Sequence, residues 1–527
     1  MTKFRVLVSD SLGAAGLEIL AKAPDVELVD ASAQSRAELI ASIAGADALV
    51  IRSGTTVDAE LIQAADGLKV IGRAGVGVDN VDLDAATARG IMVVNTPQAN
   101  TVATAEQTMA LMLATTRRTA AAHASMLDGK WDRKSFSGID LKGRTLGVIG
   151  FGRIGRAVAT RAKAFDMKVV AYDPFVSELV GREHQVDLLD LDLVLETADV
   201  LTLHAVPAPD GSALLGPDEF ARMKKGVVII NAARGQLIDE AALAAALDDG
   251  TVWGAGLDVY QDEPPAADSA LIGHPKVVHT PHLGASTLEA QRDVSLQVVE
   301  YVLGALRGES LNSCVNVPFR FDAETEARLS LATAMGRIHQ VMAPSAITHV
   351  EVEVSDGSTD TLSTVAAGVL AGVLSNVGVT HANFVNAPAL AADHGITVSQ
   401  GWGMGLRDYP NLISCRVSWE GGQRVISGVI FGGSEPRIVQ VSGYQLDAKP
   451  EGIVLLMLND DMPGVIGAVG TLLGHAQVNI GEWRLGRGDE AGRALSFINL
   501  DTMPDTGVLA DLRRVPGIIK AEVVDLG

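Results

Sequence analysis

The sequence predicts an α/β protein whose first half holds two Rossmann-like parallel-sheet domains, followed by an α+β domain and a terminal βαββαβ unit. Three observations predict it. Short apolar runs alternate with helical patterns as far as His282, the grammar of parallel strands joined by crossover helices. A glycine-rich turn, Gly150-Phe151-Gly152-Arg153-Ile154-Gly155, stands between a strand-like and a helical segment of the second alternating series. Past Asn316 the pattern becomes richer in β signals, and it closes on the order strand, helix, strand, strand, helix, strand, the ferredoxin-like plan.

In the first series the strand-like runs are FRVLVS, VELVDA, DALVIRS, LKVIGRAG and IMVVNTP, separated by helical segments such as SRAELIASIAGA. An Ala-rich helical stretch follows from about Thr101 to Lys130. The second series reads RTLGVIG, KVVAYDP, DVLTLHA, GVVIINA, VWGAGLDV and KVVHTP. The segment ASTLEAQRDVSLQVVEYVLGALRG reads as one helix, with Ser286 and Glu289 in capping-box spacing, Gly308 as a stop, and Val294, Val298 and Val302 on one face. Next come a strand in ITHVEVEVS, a helix in TLSTVAAGVLAGVLS and a hairpin in CRVSWEGGQRVISGVI, turning at Gly421 and Gly422. From Gly452 the last unit reads GIVLLML, PGVIGAVGTLLGHA, NIGEWRL, RALSFINL, GVLADLRRV and IIKAEVVDL.

Composition narrows the function. A chain of 527 residues exceeds one hydrophobic core and implies several packed units. Its 42 basic and 64 acidic residues give a net charge of -22, which repels nucleic acid and anionic lipid and means that an anionic substrate needs a locally basic pocket. Two cysteines, Cys314 and Cys415, make no disulfide framework, and no signal peptide opens the chain, so a cytoplasmic location is expected. The most membrane-like stretch, Val365 to Val379 with Gly368 and Gly372 in GxxxG spacing, is interrupted by Ser375 and Asn376 and falls short of the roughly 20 apolar residues of a span, so a buried helix is expected.

The turn at Gly150, Gly152 and Gly155 has the make-up of a dinucleotide site: a tight bend, close backbone approach to a pyrophosphate, and a helix N-terminus aimed at its charge. Asp173 ends the next strand-like run, where a carboxylate bonds a ribose 2'-hydroxyl and repels a 2'-phosphate. NAD is therefore expected over NADP. Hydride transfer from an alcohol carbon also needs an acid/base and a cation. Arg234 follows the strand GVVIIN, Glu263 follows another and His282 the last, all at carboxyl ends of parallel strands where such sheets place ligands. A Glu beside a His favours imidazolium and orients the ring, and an Arg fork grips a carboxylate with two bonds.

The order GFGRIG, NAARG, DVYxDEPP and PHLGAST resembles the D-isomer-specific 2-hydroxyacid dehydrogenases. Within that family, RSGTTVDAELI, GRAGVGVDNVD, NTPQANTVATAE and WDRKSFSGIDLKGRTLGVIGFGRIG are similar to the branch that oxidises 3-phospho-D-glycerate to 3-phosphohydroxypyruvate at the start of L-serine synthesis. The likeness spans the whole chain, since long bacterial members also carry an intervening domain and a C-terminal ACT domain. VNAPALAADHGI is similar to part of that intervening domain.

The resemblance implies that His282 donates and accepts the proton, that Glu263 is its partner, and that Arg234 holds the substrate carboxylate and polarises the carbonyl. It implies cofactor contacts at Arg153, Ile154, Asp173, Ala205, Ala232, Asp258, Gly284 and Ala285. On the substrate side it implies Arg52, Ser53, Gly54, Gly75 and Val76, where some relatives carry a hydroxyl residue instead of Val76. Arg52, Arg73, Arg133 and Lys134 are the cations assigned to the phosphate. Residues 1–98 and 286–315 would form the substrate domain, 99–285 the NAD domain, 317–451 the intervening domain and 452–527 the ACT domain. The Ala-rich arm would dimerise, within a homotetramer. In the last unit Asp461-Met462-Pro463-Gly464 opens a helix, and Asp461 and Asn479 would bind L-serine across a dimer interface, near Asn459, where some serine-binding relatives differ. The rival readings are a related 2-hydroxy acid, such as glyoxylate, hydroxypyruvate or 2-hydroxyglutarate, and a dinucleotide-sensing corepressor. The phosphate cations argue against the first, and the intact Arg, Glu and His set against the second.

Overall fold

Strands β1 (Phe4–Val8), β2 (Val26–Asp30), β3 (Ala48–Ile51), β4 (Val70–Arg73) and β5 (Met92–Asn95) alternate with helices α1 (Ala14–Lys22), α2 (Arg36–Ile43), α3 (Ala59–Ala64) and α4 (Leu83–Ala88). They pair in parallel in the order β2-β1-β3-β4-β5. Every residue of β3 is buried, as an unbroken apolar run covered on both faces requires. The structure, a computed structural model, describes residues 3–208, 210–308, 313–319, 321, 324–355, 358–375, 382–403, 409–488 and 492–527.

The expected single arm is two helices, α5 (Thr101–Thr116) and α6 (Thr119–Leu127), because Arg118 between them takes a left-handed φ of 55°. The second sheet follows, with β6 (Thr145–Ile149), β7 (Lys168–Tyr172), β8 (Asp187–Leu188), β9 (Val200–Leu203), β10 (Val227–Asn231), β11 (Val252–Leu257) and β12 (Val277–His279). Its helices are α7 (Arg153–Ala164), α8 (Glu178–Glu183), α9 (Leu191–Thr197), α10 (Pro217–Arg222) and α11 (Glu240–Asp249). The order is β12-β11-β10-β9-β6-β7-β8. The two-residue β8 is too short to leave a period in the sequence.

Helix α12 (Leu288–Arg307) returns to the first sheet. Gly72 of β4 lets it close in, since a Cβ there would lie 2.4 Å from Val302 Cγ2. The cap is Thr287, not Ser286: Thr287 Oγ1 accepts from Ala290 N at 3.1 Å, while Ser286 N is committed to a turn with Leu283 O.

Beyond it lie α13 (Thr325–Met342), β13 (Ile347–Val354), α14 (Thr359–Leu374), α15 (Ala387–Asp393), β14 (Thr397–Trp402), β15 (Ile413–Trp419), β16 (Gly422–Phe431), β17 (Glu435–Val441) and β18 (Tyr444–Ala448). The hairpin turns at Glu420-Gly421, one residue earlier than expected, because Gly422 already pairs with Trp419. The GxxxG glycines serve a helix crossing in the core. A Cβ on Gly372 would lie 2.2 Å from Thr333 O, and one on Gly368 would lie 2.7 Å from Ala332 Cβ. Residues 376–379 of the membrane-like stretch lie outside the described residues. Among the described residues no helix is long and apolar enough to cross a membrane.

The last unit follows the expected order: β19 (Ile453–Asp460), α16 (Val465–His475), β20 (Ile480–Arg487), β21 (Arg493–Leu500), α17 (Thr506–Leu512) and β22 (Ile518–Asp525), with strand order β20-β21-β19-β22. One face of this sheet packs on its own helices, with Val469, Leu473 and Leu512 buried there. The other face shares a core with the preceding unit, where Val454, Leu456 and Phe497 join Leu331, Met335 and Val441.

Candidate active site

The carboxyl ends of both parallel sheets face one cleft of about 850 Å³. At its cofactor side β6 runs into the glycine turn. Gly150 takes φ 92°, and a Cβ there would lie 2.5 Å from the His204 carbonyl carbon; one on Gly155 would lie 2.1 Å from Gly150 O. Only glycine fits either position. Beside Gly152 the space is open for 4 Å, at the N-terminus of α7 and just before Arg153, where free backbone N–H groups favour an anion. Asp173, past β7, accepts from Phe151 N at 2.8 Å and Phe175 N at 2.9 Å, which fixes its carboxylate beside the turn. Ile154, Ala205, Ala232, Gly284 and Ala285 line the cleft. This set fits a dinucleotide.

Asp258 is fully buried beneath the loop that carries His282. Its carboxylate accepts from Leu283 N and Gly284 N, each at 2.8 Å, from the Thr280 hydroxyl, and from Gln107 Nε2 at 3.3 Å. Its carbonyl accepts from His282 N at 2.8 Å. It therefore shapes the loop from below.

His282 itself has φ 54°, which turns its ring toward Glu263: Nδ1 lies 2.6 Å from Glu263 Oε2. Glu263 Oε1 accepts from Tyr260 N at 3.2 Å. Partial burial works against the Glu263 charge, but the His282 hydrogen bond and charge, the Tyr260 N–H and the Arg234 guanidinium hold its carboxyl below the usual range. With Nδ1 engaged, the ring presents Nε2 as its other polar atom. Arg234, just past β10, donates through Nη1 to Ala233 O at 2.7 Å and through Nε to Asp79 Oδ2 at 2.9 Å. Gly235 presses the two active loops together, because a Cβ there would lie 1.9 Å from the Tyr260 carbonyl carbon.

Arg52, Ser53, Arg73, Gly75 and Val76 line the opposite wall. Burial, and next the charge of Arg234, push Arg73 down to about 10, and among the described residues its Nε has no hydrogen-bond partner. Gly54 lies behind the wall, where a Cβ would meet Asp10 Oδ1 at 2.7 Å. Asp10 accepts from the N–H groups of Arg52 and Thr55 and from the Thr55 hydroxyl, so it holds that loop. Arg133 and Lys134 sit on the exposed segment after α6 and are not among the residues that line the cleft. Asp10, Asp79 and Gln107 were not singled out from the sequence. Asp10 was within reach, since it follows β1 at the same carboxyl edge.

In the last unit Asn459 is buried and donates to Asp460 O at 2.8 Å, Asp461 pairs with Arg487 at 2.7 Å, and Asn479 Nδ2 donates to Asp501 Oδ2 at 2.7 Å. Asp461 precedes α16 and Asn479 follows it, so one chain holds them at opposite ends of an 11-residue helix.

Residues 109–284 match the model of the D-isomer specific 2-hydroxyacid dehydrogenase NAD-binding domain, and residues 326–442 match the D-3-phosphoglycerate dehydrogenase intervening domain. The chain is 41% identical to D-3-phosphoglycerate dehydrogenase of Archaeoglobus fulgidus over 99% of its own length and 100% of that relative. It is 40% identical to the Mycobacterium tuberculosis enzyme of the same name, over 99% of each. D-lactate dehydrogenase from Aquifex aeolicus, solved with NAD and lactic acid, superposes with a TM-score of 0.52 at 27% identity, covering 58% of this chain and 96% of that one. The chain thus belongs to the D-3-phosphoglycerate dehydrogenases, NAD-dependent oxidoreductases of the D-isomer-specific 2-hydroxyacid dehydrogenase family.

Proposed function

We propose that the protein oxidises 3-phospho-D-glycerate to 3-phosphohydroxypyruvate as the first step of L-serine biosynthesis, in the cytoplasm. One observation carries this reading: the 2.6 Å contact of His282 with Glu263 in the same cleft as three arginines, Arg52, Arg73 and Arg234. Bound NAD supplies the hydride acceptor. His282 Nε2, its ring neutral and oriented by Glu263, takes the substrate hydroxyl proton. Arg234 grips the carboxylate and polarises the forming carbonyl, while Arg52 and Arg73 meet the phosphate. Ser53, Gly54, Gly75 and Val76 shape that wall; a second subunit would have to supply Arg133 and Lys134 if they act on the phosphate. On the cofactor side Gly150, Gly152, Arg153, Ile154 and Gly155 would hold the pyrophosphate and Asp173 the ribose, with Ala205, Ala232, Asp258, Gly284 and Ala285 further along.

Following NADH absorbance with 3-phosphoglycerate against glyoxylate, hydroxypyruvate and 2-hydroxyglutarate tests the substrate. A preference for any unphosphorylated acid would overturn the phosphate assignment.

The domain plan proposed with it is 1–98 with 286–315 for substrate, 99–285 for NAD, 317–451 intervening and 452–527 ACT. The apolar exposure of Met126, Leu127 and Trp131 on and after α6 supports a dimerising arm, within a homotetramer that light scattering can count. The split of Asp461 and Asn479 across α16 supports an L-serine site that two copies complete, with Asn459 beneath it. Serine titrated into the assay should inhibit; full activity at millimolar serine would leave those residues a purely structural role.

A further inference from the structure

Arg234 is held from across the cleft. Asp79 lies beyond β4 on the first sheet and Arg234 beyond β10 on the second, yet Arg234 Nε donates to Asp79 Oδ2 at 2.9 Å. Nη1 is already committed to Ala233 O at 2.7 Å. Nη2 is the corner of the guanidinium left for a ligand. Gly77 makes the arrangement possible, because a Cβ there would lie 1.7 Å from Arg234 Nη2 and 2.5 Å from Asp79 Oδ2. Any larger residue would expel the guanidinium. The next residue, Asn80, donates through Nδ2 to Arg52 O at 2.7 Å and Thr55 O at 2.6 Å, so the same turn braces the loop of a second cation.

Charge explains the need. Arg52 and Arg234 both act against the charge of the buried Arg73, whereas Asp79 acts in its favour. Arginines do not escape mutual repulsion by losing a proton, so three of them in one cleft require a counter-ion before substrate arrives. A partly exposed pair of this kind adds little to stability, and its value is geometric.

We propose that Asp79 is a positioning residue of the dehydrogenase reaction: it fixes the Arg234 fork and ties that orientation to the approach of the two sheets. The proposal rests on the reading of Arg234 as the substrate-carboxylate cation. A double-mutant cycle tests it, with kcat and KM for 3-phosphoglycerate measured in Asp79→Ala, Asp79→Asn, Arg234→Ala and the Asp79→Ala/Arg234→Ala pair. NADH affinity, read by fluorescence titration, reports that each variant is folded. Asp79→Ala should lower kcat/KM about 10- to 100-fold with NADH affinity unchanged. Asp79→Asn, which keeps an acceptor for Nε, should recover part of that loss. In the Arg234→Ala background the Asp79 change should cost nothing further. An equal penalty in both backgrounds, or a fully active Asp79→Ala, overturns the role of Asp79 alone. An Arg234→Ala variant as active as the parent overturns the reading of Arg234 together with it.

Discussion

At the scale of single residues, the proposed chemistry depends on which ring nitrogen of His282 is engaged. Glu263 holds Nδ1, and the hydrogen bond from His282 helps keep the Glu263 carboxyl below the usual range. On the proposed role the ring must accept the substrate proton, so kcat/KM for 3-phosphoglycerate should climb as pH rises. Glu263→Gln keeps the shape and removes the charge, and kcat/KM should drop by about 10²-fold. A Glu263→Gln variant as active as the parent would argue that the pair is not coupled in catalysis. His204 and His339 behave differently. His339 is fully buried and His204 partly so, and burial pushes each down to about 3 from 6.5. The unfolded chain accepts a proton below about 6.5 and the native state does not, so stability is whole above that pH and is lost as pH falls toward 3, by up to about 1.4 kcal/mol per pH unit for each ring. Among the described residues, one ring nitrogen of His339 has no partner and the other makes a 3.3 Å contact to Cys415 O. His339→Leu should flatten the acid side of a melting-temperature profile at little cost near neutral pH.

Among the elements, the loop between β12 and α12 owes its shape to a buried carboxylate as well as to its own turn bonds. Asp258→Ala would strip acceptors from Leu283 N, Gly284 N, Thr280 and Gln107 at once. Each buried donor left unmet costs about 1–3 kcal/mol. The expected outcome is a lower unfolding temperature by calorimetry and a larger loss in kcat than in NADH affinity, since His282 loses its footing. An unchanged kcat would show that the loop is shaped elsewhere. The crossing of α13 and α14 teaches a related lesson. Gly368 and Gly372 carry the spacing that membrane helices use for close contact, and the contact is real, but here it serves the packing of α14 on α13, against Ala332 and Thr333.

Across the whole molecule, the two C-terminal units behave as one body. They share a core, and Lys520 Nζ donates to Met342 O at 2.8 Å while Arg337 Nη1 donates to Asp525 O at 3.0 Å. Their junction with the catalytic half is polar: Asn383 Nδ2 donates to Gly90 O at 2.7 Å and Asn386 Nδ2 to Ala88 O at 3.5 Å. A chain shortened to residues 1–318 should remain soluble and bind NADH. One shortened to residues 1–451 should aggregate, because it bares the face that Val454, Leu456 and Phe497 cover. Size-exclusion chromatography of the two would reveal the opposite ranking if the units were independent.

Parallel sheets, their crossover helices and the terminal βαββαβ order are written in runs of consecutive residues, so the apolar period alone determined them. Arg234, Glu263 and His282 were legible for the same reason: each follows a readable strand end, where open sheets present their chemistry. Local ends were less exact, as the caps at Thr287 and the break at Arg118 show, since a one-residue shift hardly changes the pattern. Only the tertiary structure decided that Asp79 reaches Arg234, that Gln107 and Asp258 meet under the His282 loop, that Asp10 backs Arg52, and that Arg133 and Lys134 stay outside the cleft. Those pairings join residues far apart in the chain, and whether they form depends on the twist and separation of two sheets, quantities set by all of the packing together and by no single stretch of sequence.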